Sequence, residues 1–111
     1  MRQIICRFSD GSTFLQHVER SPFNSGPGQA LALNFLADFP IPVGEVVQIA
    51  IVIANPGEEH ELHFEIAERR PSLSSSTSGI RWRYEATVTD GDAPWLEMLS
   101  RKYDTARRLS A

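Results

Sequence analysis

The side chains of this chain that could do acid–base, nucleophilic or metal chemistry are three histidines, one cysteine and 14 acidic residues. His60 and His63, in "EEHELHFE", have the close spacing of a ligand pair. On a strand, however, an odd separation sends side chains to opposite faces, and no set of cysteines or further histidines completes a zinc pattern. His17 stands alone. Cys6, inside "QIICRF", has apolar neighbours and reads as a small buried hydrophobe, not a thiolate. Glu58, Glu59, Glu61 and Glu65 are close in sequence and fit the solvated face of a strand better than a desolvated pair with split pKa values. There is no G-x-S-x-G elbow, Walker loop or G-x-G-x-x-G. The glycines of "NSGPG" are not followed by the Lys-Ser/Thr that would reach a phosphate. The chemistry on offer implies no catalytic residues, no metal and no cofactor. The expectation is a binding or interaction module, not an enzyme.

A chain of 111 residues supports one hydrophobic core, so a single domain spanning 1–111 is expected. With 41% hydrophobic and 23% charged residues it has the composition of a globular chain. The formal net charge of -3 argues against broad nucleic-acid binding, which draws on basic surface. One cysteine excludes an intramolecular disulfide and suits a reducing compartment. "RQIICRF" is too short for a secretory h-region and runs into Asp10. The longest apolar run, "VVQIAIVIA", is about half a membrane span. Together these readings predict a cytoplasmic protein with no membrane insertion.

The elements that would position any site follow period two. In "EVVQIAIVIA" the residues Val47, Ile49, Ile51 and Ile53 share one face, with a weakly polar opposite face, as in a central strand. "NPGE" then turns the chain, with Pro56 and Gly57 placed as in a type II turn. "HELHFEIAE" returns with Leu62, Phe64 and Ile66 on one face. "IRWRYEATV" alternates Trp82, Tyr84, Ala86 and Val88 against Arg81, Arg83, Glu85 and Thr87. "QIICRF", "TFLQHV" and "ALALNFL" read as three further strands, and 71–79 as a serine-rich loop. After Asp92, a possible cap, the period changes to that of a helix over about 93–108, with Trp95, Leu99 and Tyr103 in one stripe. Trp82 and Trp95 are expected to join the sheet to the helix. Six short strands and one amphipathic helix predict a mainly β fold, a six-stranded antiparallel barrel over about 2–89 closed by the helix.

The order "SPFN", "ALALNF", "FPIPVGEVVQIAIVI", "LHFEIAE", "YEATV" and "TDGDAPWLEML" resembles a PilZ domain. In that family a Ser-Pro-x-Gly corner precedes a strand, a Pro-Gly-Val lead-in opens the central hairpin, and a final helix closes a six-stranded barrel. Pro40, Pro42, Gly44, Val46 and Val47 match the lead-in. The resemblance implies a bacterial regulatory domain and a cyclic di-GMP site made from an Arg-x-x-x-Arg pair and an (Asp/Asn)-x-Ser-x-x-Gly motif. No two arginines here are four apart, and Arg2 and Arg7 are five apart. The second motif survives as "ERSPFN", with Glu19 for Asp/Asn, Ser21 matched and Asn24 for glycine, next to Arg20. The resemblance therefore implies an atypical member, a signalling adaptor in motility, pilus or surface behaviour that acts by protein–protein contact without cyclic di-GMP. The contact would be an unpaired strand edge or the surface beside the helix, whose basic tail offers a partner or homo-oligomer surface. A noncanonical cyclic di-GMP receptor would instead use Arg2, Arg7, Glu19, Arg20, Ser21 and Asn24. An immunoglobulin-like β-sandwich is a further alternative, because the central hairpin with its Asn-Pro-Gly turn also suits one.

Overall fold

The computed structural model describes residues 1–20, 31–73 and 80–109. The elements are β1 (Gln3–Asp10), α1 (Gly11–Gln16), β2 (Val18–Arg20), β3 (Leu31–Ala37), β4 (Val46–Asn55), β5 (Glu58–Leu73), β6 (Ile80–Val88) and α2 (Ala93–Leu109). The fold is mainly β with a C-terminal helix, as expected. The expected closed, all-antiparallel barrel is not what forms. The six strands make one open mixed sheet in the order β1-β4-β5-β6-β3-β2, in which β1 runs parallel to β4. A parallel pair needs a long crossover, and here α1, β2 and β3 all lie between the two partners.

Alternation explains the core. Val47, Ile49, Ile51 and Ile53 of β4 are fully buried, and Leu62, Phe64 and Ile66 of β5 lie beside them. Tyr84, Ala86 and Val88 of β6 continue the layer towards Leu31, Leu33 and Phe35 of β3. On β1 the even positions Ile4, Cys6 and Phe8 complete it. Each large aliphatic or aromatic side chain removed from water in this layer contributes roughly 1.5–3 kcal/mol.

Four local expectations are corrected. "TFLQHV" is not a strand: Thr13 to Gln16 belong to α1, because Asp10 caps a helical turn by accepting the Thr13 N–H at 2.8 Å, and only Val18 starts β2. The turn that drops Phe14 into the core makes its ring 5.6 Å from Phe8 and 6.0 Å from Tyr103. The β4–β5 connection has the expected positive φ at Gly57, but the Gly57 N–H donates to the Ile53 carbonyl at 3.1 Å and Ile53 pairs with Glu58, a wider loop than the expected turn over 55–58. The strand β5 runs on through Leu73, so 71–73 are strand; the rest of the serine-rich segment, 74–79, lies outside the described residues. Trp95 is 58% exposed and takes no part in the core, where Leu96, Leu99 and Tyr103 are the buried face of α2.

The helices close one end of the sheet. Tyr103 packs against Gly11, where a Cβ would come within 1.9 Å of its ring, so no larger residue fits without moving that ring. Its hydroxyl donates to Glu58 at 2.8 Å, and Lys102 pairs with the same carboxylate. At the other end Tyr84 donates its hydroxyl to the Phe39 carbonyl at 2.7 Å and accepts the Ile41 N–H at 2.7 Å. No helix among the described residues is long and apolar enough to cross a membrane.

Candidate functional site

The site begins with register. On the face opposite the core, Glu85 of β6 is flanked by Asn34 of β3 and Glu68 of β5, and Arg83 by Leu36 and Arg70. Glu68 reaches this face only because a β-bulge interrupts the ladder between Ile66 and Glu68. Without the extra residue, strict alternation would aim Glu68 at the core side; bulges re-aim side chains in this way. On the next row Glu19 of β2 stands opposite Ala32, which stands opposite Thr87. Ala32 is fully buried and has no side chain beyond Cβ to separate its neighbours, so the carboxyl of Glu19 leans across it to meet Glu85.

That meeting has an electrostatic signature. Burial, then the hydrogen bond and charge of Glu19, then the charge of Glu68, push the Glu85 carboxyl up to about 7, with Arg70 acting in the opposite sense. Glu19 moves the other way, held below the usual carboxylate range by hydrogen bonds from Glu85 and Asn34. The two shifts describe one arrangement, a protonated Glu85 donating to an ionised Glu19. Glu85 is only 9% exposed, and its Oε2 is buried without a hydrogen-bond partner among the described residues.

These groups line a cavity of about 790 Å³, within the range of small-molecule and peptide sites. Its polar wall adds Arg7 of β1, Thr13 and Gln16 of α1, and His17; Ile5 and Leu36 supply exposed apolar surface, backed by the buried Cys6, Phe8, Phe35 and Tyr84. Since β1 and β3 are separated by three strands in the sheet order, a cavity lined by both requires the sheet to curve until these strands face each other. His17 bridges them. Its Nδ1 lies 3.1 Å from the Asn34 carbonyl and its ring centroid 5.3 Å from that of Phe8. The carbonyl needs a donor, which assigns the proton to Nδ1.

A second hollow of about 460 Å³ shares Ile5 and Leu36 with the first and adds Gln3, Asp38, Phe39 and Arg81. The two run end to end along the open seam between β1 and β3. The Gln48 N–H donates to Arg2 O at 3.0 Å, and the alternation of a parallel ladder then leaves the backbone groups of Gln3, Ile5 and Arg7 facing the seam. Across it, the Asn34 N–H reaches His17 O at 2.8 Å; Leu36, two residues on, points the same way where β2 has ended. The side chains of Ile5 and Leu36 are 59% and 50% exposed.

The sequence-derived ligand residues are only partly assembled. Arg7 and Glu19 both line the larger cavity. Arg2 is bound to Glu45 at 2.7 Å and Arg20 to Glu97, away from it. Ser21 and Asn24 lie outside the described residues. Glu85, Asn34 and Glu68 were not predicted for the site: in sequence Glu85 is one polar position of an alternating strand, and only pairing register shows what it meets. Burial pushes the thiol of Cys6 up to about 12, which fits the expected inert residue. Among the described residues no three His, Cys, Asp or Glu side chains converge as for a metal ion.

Comparison of the chain with protein-family models, curated proteins and solved structures finds no match.

Proposed function

We propose that this domain is a non-enzymatic adaptor that receives an extended segment of a partner protein along the seam between β1 and β3. The observation that carries this reading is the pair of facing strand edges, with unpaired backbone groups and the exposed side chains of Ile5 and Leu36 between them. Open edges accept an added strand through main-chain hydrogen bonds, while alternate side chains enter flanking hollows and give specificity. Arg7, Arg81 and Arg83 line those hollows and make no ion pair among the described residues. A segment that alternates apolar and acidic residues complements them.

The resemblance to PilZ domains supplies a setting for such an adaptor, the cytoplasmic control of bacterial motility, pili or surface behaviour. The open mixed sheet departs from that family's closed barrel, so the reading is supported by the seam and not by the resemblance. The rival surface is α2, where Trp95 and Met98 are 58% and 56% exposed.

The test is selection of displayed random peptides on the purified protein, followed by amide hydrogen exchange with the selected peptide bound. Slowed exchange at Ile5 and Leu36 is expected, with acidic and apolar residues enriched in the peptide. Protection confined to the α2 surface would sink the reading. So would protection of Ile5 that grows with protein concentration alone, because the occupant would then be a second copy of this chain.

A further inference from the structure

The Glu19–Glu85 pair raises a question that strand addition at the seam does not answer, and the inference drawn from it does not depend on that reading. A buried carboxyl oxygen without a donor is costly, by about 1–3 kcal/mol for an ordinary polar group and more for a charged one. Folded proteins rarely leave such an atom unsatisfied without a use for it. Here the atom is Glu85 Oε2, on a side chain more than nine-tenths buried in the wall of an open cavity.

We propose that this cavity is a binding site for an organic cation, an alkylammonium or guanidinium group seated on the Glu19–Glu85 carboxyl pair. Among the described residues no cation pairs with Glu85. Arg70, the one arginine whose charge acts on Glu85, is held by the Glu68 carboxylate. Arg20, next in sequence to Glu19, is paired with Glu97. Arg7 and Arg83 also line the cavity, but neither pairs with Glu85. A neutral donor would satisfy Oε2 but leave the two carboxyls competing for one proton; a cation removes the competition. Two carboxyl groups and the Asn34 amide fall short of a metal's ligand set, whereas a planar or tetrahedral nitrogen head with several N–H groups can donate to both acids at once. Ile5 and Leu36, both exposed and lining the same cavity, give apolar surface for the carbon stem.

The proton balance is definite. The empty pair holds one proton and a net charge of -1. The cation enters, the shared proton leaves to solvent, and the site keeps a net charge of -1 with both carboxylates ionised. The groups around this exchange are Glu68 and Arg70 from β5, Arg83 from β6, Arg7 from β1 and His17 from the α1–β2 turn.

The cation can be free in solution or carried on a lysine or arginine side chain, and two probes separate these sources. The full-length protein is titrated with methylguanidinium and with a blocked arginine tripeptide, at constant ionic strength and mildly acidic pH. The readouts are the carbon-13 carboxyl signals of glutamate and calorimetric proton release in buffers of different ionisation enthalpy. Saturable movement of the Glu85 carboxyl signal is expected with at least one probe, together with release of about one proton; the tighter probe identifies the source. Glu85→Gln should weaken that binding by about tenfold or more while the protein remains folded. No saturable movement with either probe, binding without proton release, or equal affinity in a folded Glu85→Gln protein would each overturn the proposal.

Discussion

Asp92 Oδ2 accepts two hydrogen bonds from a single residue, the backbone N–H of His63 at 2.7 Å and its ring Nδ1 at 2.8 Å. The same residue starts α2, its carbonyl accepting the N–H groups of Trp95 and Leu96 at 3.1 and 3.2 Å. The helix is thus fastened to β5 through one carboxylate. The His63 N–H, then the imidazole hydrogen bond and charge, hold that carboxyl below its ordinary range. A folded pKa below the unfolded one stabilises the protein above the usual carboxylate range, and that contribution fades as pH falls through the lowered value. Asp92→Asn is therefore expected to cost on the order of 1 kcal/mol near neutral pH. Thermal melts across the acid range check this; the gap between wild type and variant should close at low pH, and an equal gap at every pH would refute it.

Glu85 predicts the opposite slope. Its folded pKa, about 7, lies above the ordinary carboxyl value of 4.5, so the folded state holds a proton that the unfolded state gives up. Stability is then greatest below about pH 4.5, falls as pH rises towards 7, and is flat beyond. Glu85→Gln keeps the hydrogen-bonding shape without the ionisation. It should be more stable than wild type above neutral pH, by on the order of 1–2 kcal/mol after allowance for solvent near the cavity. Denaturant melts below pH 4.5 and at mildly alkaline pH would show a gap only in the second.

Tyr84 is a different kind of anchor. Its ring is fully buried and its hydroxyl joins the Phe39 carbonyl to the Ile41 N–H. Tyr84→Phe retains the stacking on Phe35 but leaves both backbone groups short of a partner. A loss of about 2 kcal/mol is expected in urea unfolding, with faster hydrogen exchange at the Ile41 amide. An unchanged Ile41 exchange rate would show that the hydroxyl does not hold the 39–41 segment against the sheet.

Cyclic di-GMP should give no heat and no change in melting temperature when titrated at low salt, where charge-driven binding is least screened. Of the four polar candidates within the described residues, Arg2 and Arg20 are engaged by Glu45 and Glu97, and only Arg7 and Glu19 reach the cavity. Micromolar binding abolished by Arg7→Ala would restore the receptor reading.

Strands β4 to β6 and helix α2 were legible because one face of each is apolar at the right period. What the sequence hid depends on contacts far apart along the chain. The six residues of α1 look like a strand because isolated short helices are not stable; Asp10 and the burial of Phe14 decide the matter. The parallel direction of β1 leaves no trace in its alternation, and the bulge after Ile66 reverses the outward set of β5 without any glycine to announce it. For the site, Glu19 could be named from the remnant of a motif, and Arg7 only as an arginine near the place of a missing one. Glu85 could not, because its partner is set by the β3–β6 register and by the small size of Ala32 between the acids.

The parallel β1–β4 ladder also orders the assembly of the molecule in time. The β4–β5 hairpin joins residues that are neighbours along the chain and closes at small entropic cost, while β1 meets β4 only after α1, β2, β3 and the segment before β4 have been gathered into a loop. Pairings this distant in sequence slow folding and form after local ones. The hairpin is therefore the seed, and β1 is stitched in after it. Strand β1, which borders the seam, is an edge strand held by one neighbour across a long loop, so the seam is completed only after the β4–β5 hairpin exists.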